Sequence, residues 1–490
     1  MKTSAAVHAL RVSEIPTTEI AAWRGDLLNR LESGMRVVTV FGTRHGSDVA
    51  ITSVLRAPDG AFYVSRGIAD AGQGYHEITS AHPALQCFER ELHEQTGIRI
   101  AGHPWLKPIR YEGRQQSAMD GYPFYIIEGK EIHEVAVGPI HAGIIEPGSF
   151  RFMCAGERVH HLEIQLGYQH RGAEKLLLAG DPRRLTQLVE TIVGDSSVAH
   201  AWAYCAALEN LADLELGAET EAARAVALEL ERIAMHLSGL SGLSADIGFL
   251  QGASTYGRLR TVAINSTMRL CGNRLGRGAL RPGGTGSTLT PDLLRDLRAD
   301  IGRLQNDLTI INDRFQTSQT VRLRLRGTGV ITRAQATELG LVGMAARASE
   351  VALDARHNSA QGIYHELPIP PVVLSDGDCW ARAQLRIREM DASLSWIAAI
   401  LERHSGWGSS RLPIGSLTPD HLVVAMVEGW RGEVVHCLET DQRGGIARYK
   451  IQDPSLRNWM AVAISARGNE ISDFPICNKS FDLSYCGNDL

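Results

Sequence analysis

The residues most able to do chemistry stand near the carboxyl end of the sequence, in NKSFDLSYCGNDL at 478–490. The thiol of Cys486 lies within a few residues of Asp482, Ser484 and Asp489. Thiolate, carboxylate and hydroxyl groups in one short stretch can bind a metal ion. The same residues can also form an ordinary buried turn. The stretch is therefore either the remnant of a metal site or such a turn.

The remaining cysteines form no recognisable framework. All eight cysteines stand singly and no C-x-x-C pair occurs, so neither a zinc site nor a set of disulfides is predicted. The start, MKTSAAVHALRVSEI, lacks the apolar core of a signal peptide, and no run approaches the ~18 apolar residues of a membrane span. We therefore expect a reducing compartment, and membrane association only through partner subunits.

Length and charge limit the class of protein. With 490 residues, 44% of them hydrophobic, the chain can bury a large core in about two to four domains. The net charge of -5 comes from interspersed acidic and basic residues, which argues against nucleic acid as the main partner. Because no G-x-G-x-x-G follows a strand and no Walker sequence occurs, no nucleotide pocket is predicted.

The elements that must position the reactive residues divide into two parts. The first, residues 1–111, is predicted to be a small α+β domain. Its predicted elements are strands at 37–41, 49–56 and 61–65 and a helix at 84–97 that ends in a left-handed cap at Gly97. Segment 112–136 has no helical period and is predicted to be a connector.

The second part, residues 137–490, is predicted to be a large, mainly helical domain with antiparallel strands, which makes the fold class α+β. Alternation around Gly156 at 149–167 predicts a hairpin. The dipeptides Asp181-Pro182 and Thr290-Pro291 each predict the start of a helix. Apolar residues recur with helical spacing at 195–215, 221–240 and 293–311, and strands are expected at 423–427, 434–438 and 446–451.

Several stretches carry a resemblance to a known family. They are VGPIHAGIIEPGSFRF (137–152), GYQHRGAEKLL (167–177), GNRLGRGALRPGG (272–284), RLRGTGVITRAQATELGLVG (324–343) and VEGWRGE (427–433). In this order they resemble the large subunit of membrane-bound nickel–iron hydrogenases of the hydrogenase-4 and formate hydrogenlyase type, and the homologous 49-kDa subunit of respiratory complex I. FERELHEQTGIRIAGHP (88–104) is similar to the complex I 30-kDa subunit, here fused in front. The resemblance covers nearly the whole chain.

The resemblance implies a nickel–iron site only where four thiolates are present, because soft sulfur ligands hold nickel and bridge it to iron. In the family these thiolates come from two C-x-x-C pairs. Those positions align here with Val193 and Ser196 and with Ser484 and Gly487, and Cys486 is one position out of register. All four ligands are missing, so nickel is not expected and the carboxyl end is interpreted as a remnant.

The complex I relatives also lack these cysteines and use the cavity for a quinone headgroup. The family's quinone-binding tyrosine and histidine align here with Gly194 and close to Glu146. The usual donor pair is thus missing, and Glu146, Asp195 and His141 are the candidate catalytic residues, with a quinone as one candidate acceptor. Each has a structural alternative: a solvated turn carboxylate for Glu146, a helix cap for Asp195 and a hydrogen-bonded structural histidine for His141.

Two arginines are candidates for contact with a cofactor. Arg171 in HRGAEK and Arg281 in RPGG match residues that lie near the terminal iron–sulfur cluster of the small partner subunit in relatives. A guanidinium beside a cluster would stabilise its reduced form. The alternative is a packing salt bridge, for example with Glu174. The family's histidine at that cluster aligns with Gly276.

The resemblance therefore implies a subunit of a membrane-associated complex I-like or hydrogenase-4-like oxidoreductase, peripheral on the cytoplasmic side of the inner membrane. Its implied partners are an iron–sulfur subunit that holds a 4Fe–4S cluster and integral antiporter-like and anchor subunits. This chain alone would hold no cofactor; it would form the acceptor cavity and couple electron transfer to ion translocation. The alternative is a non-catalytic subunit that keeps only the docking fold. An open tunnel from the Glu146–Asp195 region favours the first hypothesis, and a region filled by side chains favours the second.

Overall fold

The computed structural model describes residues 7–112, 124–143, 145–181 and 185–490. The strands, in chain order, are β1 Val7–Arg11, β2 Thr17–Glu19, β3 Arg36–His45, β4 Asp48–Arg56, β5 Phe62–Asp70, β6 Tyr75–His76, β7 Ile100–Ala101, β8 Ile132–Val137, β9 Ser149–Ala155, β10 Arg158–Gln165, β11 Leu280–Arg281, β12 Gly284–Thr285, β13 Ser410–Arg411, β14 His421–Glu428, β15 Glu433–Thr440 and β16 Ile446–Gln452.

The α-helices, in the same order, are α1 Ile20–Glu32, α2 Gln86–Thr96, α3 Ala173–Leu178, α4 Thr186–Val189, α5 Ser197–Leu211, α6 Ala218–Asp246, α7 Leu250–Cys271, α8 Pro291–Thr317, α9 Gln319–Leu325, α10 Arg333–Glu338, α11 Gly343–Arg347, α12 Ala355–Asn358, α13 Cys379–Arg403, α14 Pro454–Ala466, α15 Phe474–Phe481 and α16 Tyr485–Asp489. None of the helices in the described ranges is both long and apolar enough to cross a lipid bilayer.

The N-terminal part is a sheet in the order β2-β5-β4-β3, covered by α1 and α2. The three predicted strands are present, and the predicted helix ends at Gly97 with a φ of 72°. That left-handed conformation costs little at glycine, where no Cβ meets the backbone. The α+β prediction for this part is confirmed.

The N-terminal and C-terminal parts share their packing. Strand β1 joins the C-terminal sheet, whose order is β1-β14-β15-β16. One apolar cluster mixes Val38, Phe41 and Val54 of the first sheet with Val424 and Val435 of the second. The predicted division at 111 and 137 stays a prediction, and the observed packing shows that the two parts are tightly joined where they meet.

The larger part is built on the long helices α6, α7, α8 and α13, and its mainly helical character is confirmed. Helix α8 begins where Thr290-Pro291 predicts it, and the Thr290 hydroxyl accepts a hydrogen bond from the Leu293 N–H at 3.3 Å. Helix α5 is buried on all sides, because VAHAWAYCAAL offers almost no polar face.

Two segments differ from, or lie beyond, the sequence prediction. The predicted connector 112–136 contains strand β8, which pairs with β9 in a sheet of order β10-β9-β8; residues 113–123 lie outside the described ranges. The hairpin predicted around Gly156 is present as β9 and β10. The helix start predicted at Asp181-Pro182 also falls on residues outside the described ranges.

Candidate functional site

The carboxyl-terminal segment, residues 482–490, is the centre of the candidate site. Helix α16 is capped by Ser484, whose Oγ accepts the Gly487 N–H at 2.9 Å. The buried Leu490 carbonyl oxygen accepts the backbone N–H groups of Arg171 and Gly172 at 3.0 and 3.1 Å. This segment is therefore fixed against the residues that follow the hairpin β9–β10.

The four positions aligned with the missing thiolates are closely packed. Val193, Ser196 and Ser484 are buried. A Cβ at Gly487 would lie 2.3 Å from Asp453 Oδ1, so that position admits no side chain. In the described part of the chain, no group of three His, Cys, Asp or Glu side chains is arranged to hold a metal ion.

Cys486 contacts a predicted site residue. Its thiol lies 2.9 Å from Glu146 Oε1 and also contacts the Gln169 side-chain oxygen. Burial, the hydrogen bond to Glu146 and the charge of that carboxylate raise the pKa of Cys486 to about 12. The sulfur therefore stays a protonated thiol that donates to Glu146.

Asp195 forms a two-point ion pair with Arg431. The carboxylate accepts the two guanidinium N–H groups at 2.6 and 2.8 Å, and its backbone oxygen accepts the Trp430 indole N–H at 2.8 Å. Asp195 is 37% exposed, whereas Arg431 is 5% exposed. The alternative that Asp195 or its neighbours cap α5 is wrong, because Ser196 occupies the N-cap position without a side-chain cap hydrogen bond.

The cap of α5 comes instead from a neighbouring helix. Glu231 of α6 accepts the N–H groups of Val198 and Ala199 at 2.7 and 3.3 Å. Burial raises the pKa of Glu231 to about 8, although these two hydrogen bonds lower it. The electrostatic effect of Asp195 raises it further. A carboxyl group that can hold a proton near neutral pH therefore lies behind the ion pair of Asp195 and Arg431.

The space beside Asp195 is small. A cavity lined by Asp195, Glu231, Thr267 and Arg274 has a volume of about 10 Å³. That volume holds no more than about one water molecule. Side chains therefore fill this side of the candidate site.

A buried hydrogen-bonded chain that the sequence did not reveal starts next to Gly487. Asp453 contacts His200 Nε2 at 3.1 Å, His200 Nδ1 contacts His436 Nε2 at 3.1 Å, and His436 Nδ1 contacts the Tyr449 hydroxyl at 2.6 Å. All four residues are buried. The signal that could have indicated it is the single histidine in the apolar run of α5.

One assignment of protons satisfies every contact in this chain. Burial and the neighbouring His200 lower the pKa of His436 well below its usual value, so its ring is neutral. Burial opposes ionisation of Asp453, but its hydrogen bond with His200 keeps its pKa lowered. Tyr449 then donates to His436, His436 to His200, and His200 to the Asp453 carboxylate.

His141 is connected to the carboxyl-terminal segment through the backbone of Gly148. Its Nε2 lies 2.8 Å from the Gly148 oxygen, and its ring is tilted against Phe150 with centroids 5.9 Å apart. Gly148 in turn contacts α16, since a Cβ there would lie 2.7 Å from a Tyr485 ring carbon. His141, Glu146 and Asp195 thus all lie against the carboxyl-terminal segment or its direct partners.

The two candidate arginines flank the segment that leads into α5. The Arg171 guanidinium donates to the Thr191 and Ile192 carbonyl oxygens, both at 2.7 Å. The suggested salt bridge with Glu174 is wrong, because Glu174 pairs with Lys450 at 3.1 Å.

The positive charge of Arg281 acts on Glu190, which belongs to the same segment. Burial raises the pKa of Glu190, and the charges of Arg277 and Arg281 oppose that rise. Both candidate arginines are exposed. They therefore present positive charge to solvent beside residues 190–195.

Comparisons with known proteins agree with this architecture. Residues 246–413 match the family described as the 49 Kd subunit of respiratory-chain NADH dehydrogenase. The carbon monoxide-induced hydrogenase of Rhodospirillum rubrum is 28% identical over 71% of this chain and 97% of its own length. Formate hydrogenlyase subunit 5 of Escherichia coli K12 is 26% identical over 85% of this chain and 77% of its own.

Two further comparisons concern the fused arrangement and the fold. A fused NADH-quinone oxidoreductase subunit of Bacteroides thetaiotaomicron is 28% identical over 72% of this chain and 67% of its own length. A chain in the structure of the membrane-bound sulfane sulfur reductase, an archaeal respiratory membrane complex, superposes with a TM-score of 0.68. It is 24% identical, and the match covers 75% of this chain and 100% of that one. The two chains share a fold.

Proposed function

We propose that this chain is the large subunit of a membrane-associated complex I-like oxidoreductase. It is similar to subunits of membrane-bound hydrogenases and of NADH-quinone oxidoreductases. It forms the site where electrons from a 4Fe–4S cluster of a partner subunit meet their acceptor. A quinone is the candidate acceptor that the similarity to NADH-quinone oxidoreductase subunits supports. The electron transfer is coupled to ion translocation by integral antiporter-like and anchor subunits, with this chain peripheral on the cytoplasmic side of the inner membrane.

The observation that carries this proposal is the carboxyl pair at the start of α5. Reduction of a quinone consumes two protons, so an acceptor site needs groups that can supply them. Asp195 is partly exposed and paired with Arg431, and Glu231 behind it has a pKa of about 8. Glu231 can therefore hold a proton close to neutral pH, and the partly exposed Asp195 lies between it and the proposed acceptor side.

Nickel does not fit the side chains at this site. Val193 and Gly487 carry no donor atom, and the Ser484 hydroxyl already accepts the Gly487 N–H. Nickel in such sites needs soft sulfur ligands. The Cys486 thiol is protonated and donates to Glu146, so it does not supply a thiolate. The proposed chemistry therefore uses no metal on this chain.

The second candidate function is that of a structural subunit without an acceptor site. The small cavity of about 10 Å³ beside Asp195 favours it, because a quinone headgroup needs far more room than one water molecule. In that case Arg171 and Arg281 serve only to dock the iron–sulfur subunit.

The experiment that separates the two candidates is an assay on the intact complex, purified with its partners from its host. Quinone reduction and hydrogen evolution are measured for the wild type, for Asp195→Asn and for the control Asp313→Asn, an exposed residue of α8. We expect quinone reduction that falls about 10-fold or more in Asp195→Asn, since acid–base groups contribute about 10²–10⁴ in rate. Assembly should be unchanged in both variants.

The possible results have distinct meanings. Quinone reduction that is unaffected by Asp195→Asn limits Asp195 to its ion pair with Arg431. An intact wild-type complex that reduces no quinone and evolves no hydrogen supports the structural role. Hydrogen evolution that depends on nickel in this chain would contradict both candidates.

A further inference from the structure

Two cysteines far apart in sequence meet beside the loop that joins α9 to α10. Cys379 is the first residue of α13, directly after the Asp378 cap, and Cys477 lies within α15. Both are fully buried and both are free thiols. Neither takes part in the candidate site described above.

The sulfur atoms of these residues are neighbours. Both sulfur atoms border the same point beside the backbone of Gly329. A Cβ placed on Gly329 would lie 2.7 Å from Cys477 Sγ and 3.3 Å from Cys379 Sγ. Gly329 has a φ of 64°, and its lack of a side chain lets the loop close over both sulfur atoms.

The loop lies between the sulfur atoms and solvent. Gly329 is buried, but its neighbours Gly327 and Val330 are exposed. Hydrogen bonds hold the loop in place, among them the Cys379 N–H to the Thr328 oxygen at 2.9 Å and the Arg382 guanidinium to the Gly329 oxygen at 2.8 Å. A small uncharged oxidant therefore needs only a local opening of this loop to reach the pair.

The surroundings shift the pKa values of the two thiols in opposite directions. The Arg382 guanidinium lies 3.4 Å from Cys379 Sγ, and Cys379 stands in the first turn of α13, where unpaired N–H groups favour a negative charge. Burial raises the pKa of Cys379, but the hydrogen bond from Cys477, the charge of Arg382 and a contact with Ser480 lower it overall. The hydrogen bond with Cys379 and burial raise the pKa of Cys477.

We propose that Cys379 and Cys477 are a modification site, a dithiol that hydrogen peroxide converts reversibly to a disulfide between α13 and α15. Cys379 is the attacking thiolate and Cys477 is the resolving thiol. Such a pair, one thiolate beside one protonated thiol, is the arrangement found at reactive dithiols. The proposal is independent of the acceptor proposed above.

Oxidation of the pair by peroxide takes two steps. The Cys379 thiolate attacks one peroxide oxygen, the O–O bond breaks, and hydroxide leaves and takes up a proton to give water and a sulfenic acid. The Cys477 sulfur then attacks the sulfenic sulfur, the S–O bond breaks, and a second water leaves with the proton of Cys477. Two thiols have lost two electrons and two protons, and one peroxide has become two waters. An added dithiol reverses the oxidation.

The cross-link would act on the carboxyl-terminal segment. Cys477 lies five residues before Asp482, whose backbone oxygen accepts the Arg431 Nε–H at 2.6 Å. The Arg386 guanidinium also donates to the Ser480 oxygen, at 3.1 Å. Oxidation therefore restrains the segment that holds Arg431, the partner of Asp195.

Peptide mapping of the purified full chain tests the proposal. The protein is treated with hydrogen peroxide, the remaining thiols are blocked with iodoacetamide, and the chain is digested without reduction. We expect a Cys379–Cys477 linked peptide as the main disulfide, lost on treatment with dithiothreitol. Cys379→Ser should abolish it, and Cys477→Ser should leave a sulfenic acid on Cys379 that dimedone traps.

The control is Cys205→Ser, because Cys205 is equally buried and burial raises its pKa. This variant should form the linked peptide at the wild-type rate. The proposal is overturned if the linked peptide is absent at a peroxide dose that oxidises half of Cys486, or if Cys379 pairs with another cysteine. The wild-type map alone decides this even if a serine variant fails to fold.

Discussion

Replacing Lys450 by Met should destabilise the protein by about 3 kcal/mol. Lys450 is fully buried between Glu91 of α2, at 2.5 Å, and Glu174 of α3, at 3.1 Å. The substitution keeps the apolar stem but leaves two buried carboxylates with less positive charge. Removing one partner of a buried ion pair costs about 3–5 kcal/mol.

The pKa of Glu174 gives a similar contribution to the free energy of unfolding. Burial raises it, but Lys450, Arg448 and Arg110 together lower it from 4.5 to about 2. At about 1.4 kcal/mol per unit, this depression corresponds to roughly 3 kcal/mol of stability at neutral pH. Because the folded-state pKa is depressed, this contribution is complete above pH 4.5 and is lost as the pH falls towards 2.

Urea unfolding at pH 7 and at pH 3.5 measures both effects. The free-energy difference between wild type and Lys450→Met should be about 3 kcal/mol at pH 7 and about 1 kcal/mol smaller at pH 3.5. The matched control is Lys175→Met, whose side chain is 76% exposed and pairs with Glu112. It should cost less than about 1 kcal/mol. Equal losses for the two variants at pH 7 would refute the argument that Lys450 acts as a buried charge.

Three further outcomes are expected. Arg171→Met should shift the reduction potential of the partner's neighbouring cluster downward, because a positive charge is removed; an unmoved potential in the complex places Arg171 away from that cluster. Glu146→Gln should speed alkylation of Cys486 by iodoacetamide several-fold, since that carboxylate contributes to its raised pKa, and an unchanged rate leaves burial as the sole cause. Metal analysis of the purified protein should find less than about 0.1 nickel per chain; about one nickel would contradict the vestigial site.

Regular elements with local signals could be predicted from the sequence. Short runs of apolar and β-branched residues indicated the strands β3, β4, β14 and β15, and proline after threonine marked the start of α8. These signals are local because a turn, a cap or an alternating face is set by neighbouring residues. Strand β8 escaped notice because IHEVAV has no regular alternation of polar and apolar residues and is mostly exposed.

The partners of the candidate residues could not be predicted in the same way. Asp195 and Arg431 are each marked by sequence motifs, but their pairing depends on how α5 and the turn after β14 meet in space. The raised pKa of Glu231 follows from burial, which no short stretch of sequence reveals. The chain from Asp453 to Tyr449 likewise draws on one helix and two strands.

Strand β1 has a consequence for synthesis of the chain. Val7–Arg11 pairs with His421–Ala425, so its partner strand is made about 400 residues later. At roughly 5–20 residues per second, β1 waits on the order of a minute as an unpaired strand on the ribosome. Once β14 has been made, its outer edge stays open until β1 docks, and in that interval it can recruit another chain. Efficient production of this protein should therefore depend on a chaperone that shields that first strand until the last sheet is complete.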